Sequence, residues 1–150
     1  MHNSTLLVTV SNTVKAHFKR KIMSYEVKGE ILGFDKTKKV EINEIDSLFY
    51  TMIDEENRNI SFTLVNPFLL RDYTIDIPLE TKTLLDIDDT TQIGVYNTLI
   101  IQKPLEKSLI NFLAPIIVNF DKKLLAQVIL DPRKHPDYGM AEKIETFRQK

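Results

Sequence analysis

A proline set inside an apolar run constrains this chain more than any other feature. In Asn111-Phe112-Leu113-Ala114-Pro115-Ile116-Ile117-Val118-Asn119, Pro115 separates a bulky apolar pair from a β-branched run. Proline has no backbone donor and a fixed φ, so it belongs at a strand's first residue, at an edge or at a bulge. A strand therefore starts at Ile116, with Ile116, Val118 and Phe120 on one face and Ile117 and Asn119 on the other. Asp121-Lys122-Lys123 is polar enough to turn, and Leu124 to Leu130 reads as the returning strand. This hairpin is the most apolar part of the chain, so the remainder is expected to pack on or around it.

Period-two alternation continues upstream. Tyr25, Val27, Gly29 and Ile31 alternate with Glu26, Lys28 and Glu30, the pattern of a half-buried strand. Leu32-Gly33-Phe34 closes it, and the charged run 35–39 turns. Val40 to Ile42 is a short strand and Ile45 to Ile53 a longer one; Asp54 to Asn59 reads as a solvated loop. Ile60 to Val65 alternates until Asn66-Pro67 stops the ladder. Tyr73, Ile75 and Ile77 predict a further strand. Pro78 can open a helix reaching Leu85, with Leu79, Leu84 and Leu85 on its buried side. Ile93 to Lys103 is a strong strand ended by Pro104. Asp137, before Gly139, can cap a C-terminal helix over 138–149 whose Met140, Ile144 and Phe147 share a face. About eight strands and two short helices, without β-α-β alternation, define a mainly β fold. The expected architecture is a single antiparallel, barrel-like domain over 23–150.

Charge is unevenly spread. Residues 1–22 hold Lys15, Lys19, Arg20 and Lys21 and no acid; removing those four leaves 16 basic against 21 acidic residues, a balance of −5. A basic, acid-free leader is compatible with an organelle presequence, but the short apolar patch Leu6 to Val10 precedes the charges, unlike a secretory signal. The favoured expectation is a disordered extension or an over-extended start of the reading frame. An acidic domain is a poor match to nucleic acid. No apolar run approaches the roughly 20 residues that span a bilayer, so no membrane partner is expected.

Candidate chemistry is sparse. There is no cysteine, and His2, His17 and His135 lack partners at metal-ligand spacing. Asp86, Asp88 and Asp89 lack the glycine and closing glutamate of a calcium loop. Asp76, Glu80 and Lys82 follow the carboxylate-carboxylate-lysine order of some nucleases, a triple that this charge density also produces by chance. No catalytic residue, cofactor or metal is expected. These residues point to a binding protein without naming its ligand.

Four motifs in order carry a resemblance. Leu32-Gly33-Phe34-Asp35, Phe62-Thr63-Leu64-Val65-Asn66-Pro67-Phe68 with Asp72-Tyr73, the Asn111–Asn119 stretch, and Gln127-Val128-Ile129-Leu130 together resemble the FliW family of flagellar assembly factors. Arg71-Asp72-Tyr73 stands where the family commonly has Pro-Asp-Tyr. The resemblance implies a monomeric, non-enzymatic regulator of the bacterial cytoplasm. Such a protein binds flagellin and also CsrA, the RNA-binding translational repressor, so that free factor relieves repression of flagellin mRNA. Within that implication, Asn66, Pro67, Phe68, Asp72 and Tyr73 are candidate partner contacts, because the chain leaves a strand there. Their alternative role is a turn in which Asn66 bonds its own backbone. Asn111 and Asn119 flank the hairpin strand and either touch a partner or cap backbone groups. Two other functions stay open: a flagellin chaperone without CsrA binding, and a small metal-dependent hydrolase built on Asp76, Glu80 and Lys82.

Overall fold

The computed structural model describes residues 22–148. Pro115 stands immediately before a strand, as its chemistry requires, and its carbonyl accepts from Val128 N at 2.9 Å. In chain order the strands are β1 (Met23–Val27), β2 (Lys39–Glu44), β3 (Phe49–Asp54), β4 (Ser61–Val65), β5 (Ile93–Ile100), β6 (Leu109–Ile110), β7 (Ile116–Asn119), β8 (Leu124–Gln127) and β9 (Glu142–Lys143). One short helix, α1 (Leu79–Leu84), precedes β5. Hydrogen-bonded neighbours run β4-β3-β2-β1-β8-β7-β5, and a β4–β5 pairing closes the ring into a seven-stranded barrel. β6 and β9 extend from β5 as a flange.

The expected all-antiparallel sheet needs one correction. β1 and β8 are parallel, with Glu26 beside Leu124 and Val27 beside Leu125. The cause is parity: a closed ring with an odd number of strands cannot alternate direction everywhere. The other six pairings around the barrel are antiparallel.

Two apolar cores share walls. Tyr25, Val40, Ile42, Met52, Leu64, Tyr96, Ile116, Val118, Phe120 and Leu125 fill the barrel. Val65, Val95, Leu99, Ile117 and Ala126 point the other way, into an outer core with Tyr73, Ile75, Ile77, Leu85, Phe112 and Ile144. β5, β7 and β8 are therefore covered on both faces, which explains why the hairpin is so apolar. Each such fully buried Ile or Leu stabilises by about 1.5–3 kcal/mol.

Other expectations are revised in detail. β1 stops at Val27 because Gly29 and Gly33 adopt φ of +78° and +85° and fold 28–38 into a plug carrying buried Ile31. Ile45 lies in a turn before β3, where Asp46 Oδ1 accepts from Leu48 N and Phe49 N. Asp54 ends β3 buried rather than opening a solvated loop; its carboxylate accepts from Thr37 Oγ1 at 2.8 Å and from Glu56 N at 2.9 Å. Leu79 and Leu84 of α1 are exposed, and only Leu85 is buried.

The C-terminal helix over 138–149 is replaced by β9 and a 3-10 turn at Ile144–Phe147. Neighbours use the backbone groups that such a helix would need for itself. Gly139 O accepts from Phe112 N, and Ile144 N donates to Ser108 O. Met140 points to solvent.

Candidate partner-binding site

Where β4 ends, the chain turns by its own side chains. Asn66 N donates to Leu48 O, and its Oδ1 accepts from Phe68 N at 3.0 Å, capping the 3-10 turn Pro67–Leu69. Pro67 occupies the first position of that turn, where a missing N–H costs nothing. Both residues are buried; Phe68 is half-buried, Leu69 is 54% exposed and Asp72 is exposed.

Tyr73 drops back inside. Its hydroxyl donates to Phe112 O at 2.5 Å and accepts from Asn97 Nδ2 at 3.2 Å. Asn97 Nδ2 also donates to Asn111 O at 2.9 Å, while Asn111 Oδ1 accepts from Leu113 N at 3.0 Å. Asn97 Oδ1 is buried and, among the described residues, has no hydrogen-bond partner. The structure thus joins the Asn66–Tyr73 break to Asn111, with β5 supplying the link. Burial pushes the Tyr73 phenol well above its ordinary value, so it stays neutral and able to donate. Asn119 lies apart: its Nδ2 donates to Leu85 O at 2.7 Å and its Oδ1 accepts from Lys122 N at 3.0 Å.

Arg71 organises the outside of this region. Its guanidinium lies over the rings of Phe112, Tyr138 and Phe147 at 4.9, 4.8 and 5.0 Å, and its Nη1 is 3.5 Å from Glu142. Nη2 donates to Asp137 O at 3.3 Å. A planar cation suits this slot because it stacks and hydrogen-bonds together. Tyr138 completes the clasp: its hydroxyl accepts from Thr74 N at 2.9 Å and donates to Thr74 O at 3.1 Å. Tyr73 to Ile77 alternates inward and outward without joining a ladder, and Thr74 has the Tyr138 hydroxyl as its partner. His135 stacks on Tyr138 at 5.5 Å.

Asn97 and Tyr138 are not singled out by the sequence, and Arg71 stands out there only as a departure from the family motif, with no role attached. The arginine standing where the family motif commonly has proline was the available signal. Asp76 and Glu80 are both exposed, and among the described residues no group of three or more His, Cys, Asp or Glu is placed to hold a metal ion. Among these residues no helix is long and apolar enough to cross a membrane.

A closed seven-stranded barrel carrying a second core on its flank, tied down by an arginine clasp, defines the architectural class. The chain matches the family model described as FliW protein over residues 9–144. It is 46% identical over 125 residues to flagellar assembly factor FliW 2 of Wolinella succinogenes, covering 83% of this chain and 92% of that protein. Flagellar assembly factor FliW of Campylobacter lari is 40% identical over 126 residues, covering 83% and 96%. The crystal structure of a flagellar assembly factor FliW superposes with a TM-score of 0.74 at 25% identity, covering 85% of this chain and 87% of that one. The chain belongs to the FliW family, as its four ordered motifs indicated.

Proposed function

We propose that this chain is a non-enzymatic regulator of the bacterial cytoplasm that binds flagellin and, when flagellin is scarce, sequesters CsrA. The observation that carries this reading is membership of the FliW family over most of the chain, with relatives that are themselves flagellar assembly factors. Mutually exclusive binding makes each partner weaken the apparent affinity of the other through the occupied fraction. The −5 balance of residues 23–150 suits a partner that is basic because it binds RNA, with charge acting mainly on the association rate.

Within this reading Phe68 and Asp72 present side chains for contact. Asn66, Pro67, Tyr73 and Asn111 shape the surface from beneath, and Asn119 holds the hairpin turn. The test mixes the full chain with flagellin monomer and with CsrA, separately and together, and weighs the complexes by light scattering. Two binary complexes and no ternary one are expected, with Asp72→Lys weakening at least one of them. A flagellin complex alone would favour the chaperone that lacks CsrA binding. Binding to neither partner would end the proposal.

A further inference from the structure

The barrel end plugged by the 28–38 loop carries an apolar surface that the proposal above does not use. Leu32 is 62% exposed, Phe34 39% and Ile100 61%. Phe34 stands edge-on against half-buried Phe62, with ring centroids 4.8 Å apart. One step beyond the Thr63–Leu99 pair, the β4–β5 register sets Ile100 opposite Phe62, on the same face.

This exposure is built in. Leu32 N donates to Gln127 Oε1 at 2.7 Å, and Phe34 N donates to Ile31 O at 2.7 Å. Ile31 is buried in the barrel, and buried Thr37 is anchored to Asp54 at 2.8 Å. A loop already bonded at both ends of its apolar tip loses little conformational freedom when something docks on it.

Lysines follow the tip along the chain. Lys36, Lys38 and Lys39 are exposed, and among the described residues none of the three takes part in an ion pair, unlike Lys28, Arg58, Arg71, Lys107, Lys122 and Arg133. Residues 28–39 hold four lysines against Glu30 and Asp35, in a chain whose formal net charge is −1. An apolar centre with a basic rim is complementary to a ligand with the reverse rim.

We propose that this barrel end docks a protein segment whose apolar side chains are flanked by Asp or Glu. A single-stranded nucleic acid could stack on Phe34, but aliphatic Leu32 and Ile100 offer no stacking face. The rim charges set discrimination between segments more than the total affinity.

The test titrates the isotopically labelled full chain with two synthetic peptides that share Leu and Phe anchors and differ in Glu or Lys flanks. The Glu-flanked peptide should shift the amides of 32–39, Phe62 and Ile100, and bind at least about tenfold more tightly than its Lys-flanked twin. A Lys36→Glu, Lys38→Glu variant should reverse that order, and Leu32→Ser should weaken both peptides. These substitutions lie on exposed side chains, so folding is preserved. Equal binding of the twins, shifts elsewhere, no shifts, or tighter binding of a uridine oligonucleotide at the same amides would overturn the proposal.

Discussion

The barrel interior and the outer core are both closed to water, yet they are assembled by different means. Inside the barrel, side chains arrive by strand alternation: Val40 and Ile42 from β2, Tyr50 and Met52 from β3, Ile116 and Val118 from β7. Outside, much of the lining comes from segments that pair with no strand. Tyr73, Ile75, Ile77, Phe112 and Leu113 are placed by Tyr73–Phe112, Asn97–Asn111 and Tyr138–Thr74 hydrogen bonds and by the Arg71 clasp. Regular pairing satisfies backbone groups by repetition, whereas irregular chain must satisfy each group individually. The outer core therefore depends on particular polar side chains, and the barrel interior depends mainly on shape and volume.

The largest expected effect tests whether the two cores are separable at all. Phe112→Ala in the outer core and Leu125→Ala in the barrel each remove a fully buried side chain and should cost roughly 2–5 kcal/mol. Because β5, β7 and β8 wall both cores, both variants should still unfold in one transition, followed by circular dichroism and tyrosine fluorescence in urea. An early transition confined to Phe112→Ala would show that the outer core is an independent covering and would break the shared-wall account.

Tyr73→Phe comes next. It keeps the ring contacts with Phe112 and Tyr138 but strips Phe112 O of its donor and Asn97 Nδ2 of an acceptor. Leaving buried polar groups unpaired should cost about 1–3 kcal/mol, read as a lower urea midpoint with unchanged slope. A neutral result would remove the claim that named polar groups hold the outer core.

Arg71→Lys sharpens the contrast with a smaller loss, about 1 kcal/mol, since an ammonium cannot stack on Phe112, Tyr138 and Phe147 while also reaching Asp137 O. Hydrogen exchange should quicken at the Phe112 and Ile144 amides, which bond Gly139 O and Ser108 O. Amides of β2 and β3 should be unaffected. Uniform acceleration would mean that the clasp supports the whole molecule.

The same contrast explains what could be read from sequence. Pro115, the alternation through Val118 and the break at Asn66-Pro67 each write a local rule into the chain, and β7 and the end of β4 stand where those rules put them, whereas β8 starts at Leu124 as expected but ends at Gln127 instead of Leu130. The C-terminal segment obeys no local rule. Met140, Ile144 and Phe147 have helical spacing, but the backbone between Gly139 and Ile144 is captured by Ser108, β6 and Phe112, residues about thirty positions away. The parallel β1–β8 pair is likewise set by closure of the ring, which no window of sequence displays. At the candidate site Asn66 could be found because it precedes a proline. Arg71, Asn97 and Tyr138 acquire meaning only when three distant segments meet.

One position in the barrel behaves like the outer core and gives the smallest effect. Burial by itself raises the Asp54 carboxyl, but the Thr37 hydroxyl and the Glu56 and Asn57 amides outweigh it and hold it below its ordinary value. A group lowered on folding stabilises above its unfolded pKa of about 3.9, and that contribution is lost as pH falls through the lower folded value. The urea midpoint should therefore be insensitive to this group near neutrality and decline below about pH 4. Asp54→Asn should lower the midpoint slightly at neutral pH, because an amide is a weaker acceptor for three donors, and should flatten the acid limb. Parallel acid limbs in the two proteins would place the pH dependence elsewhere and leave the barrel uniform, with side-chain capping confined to the outer core.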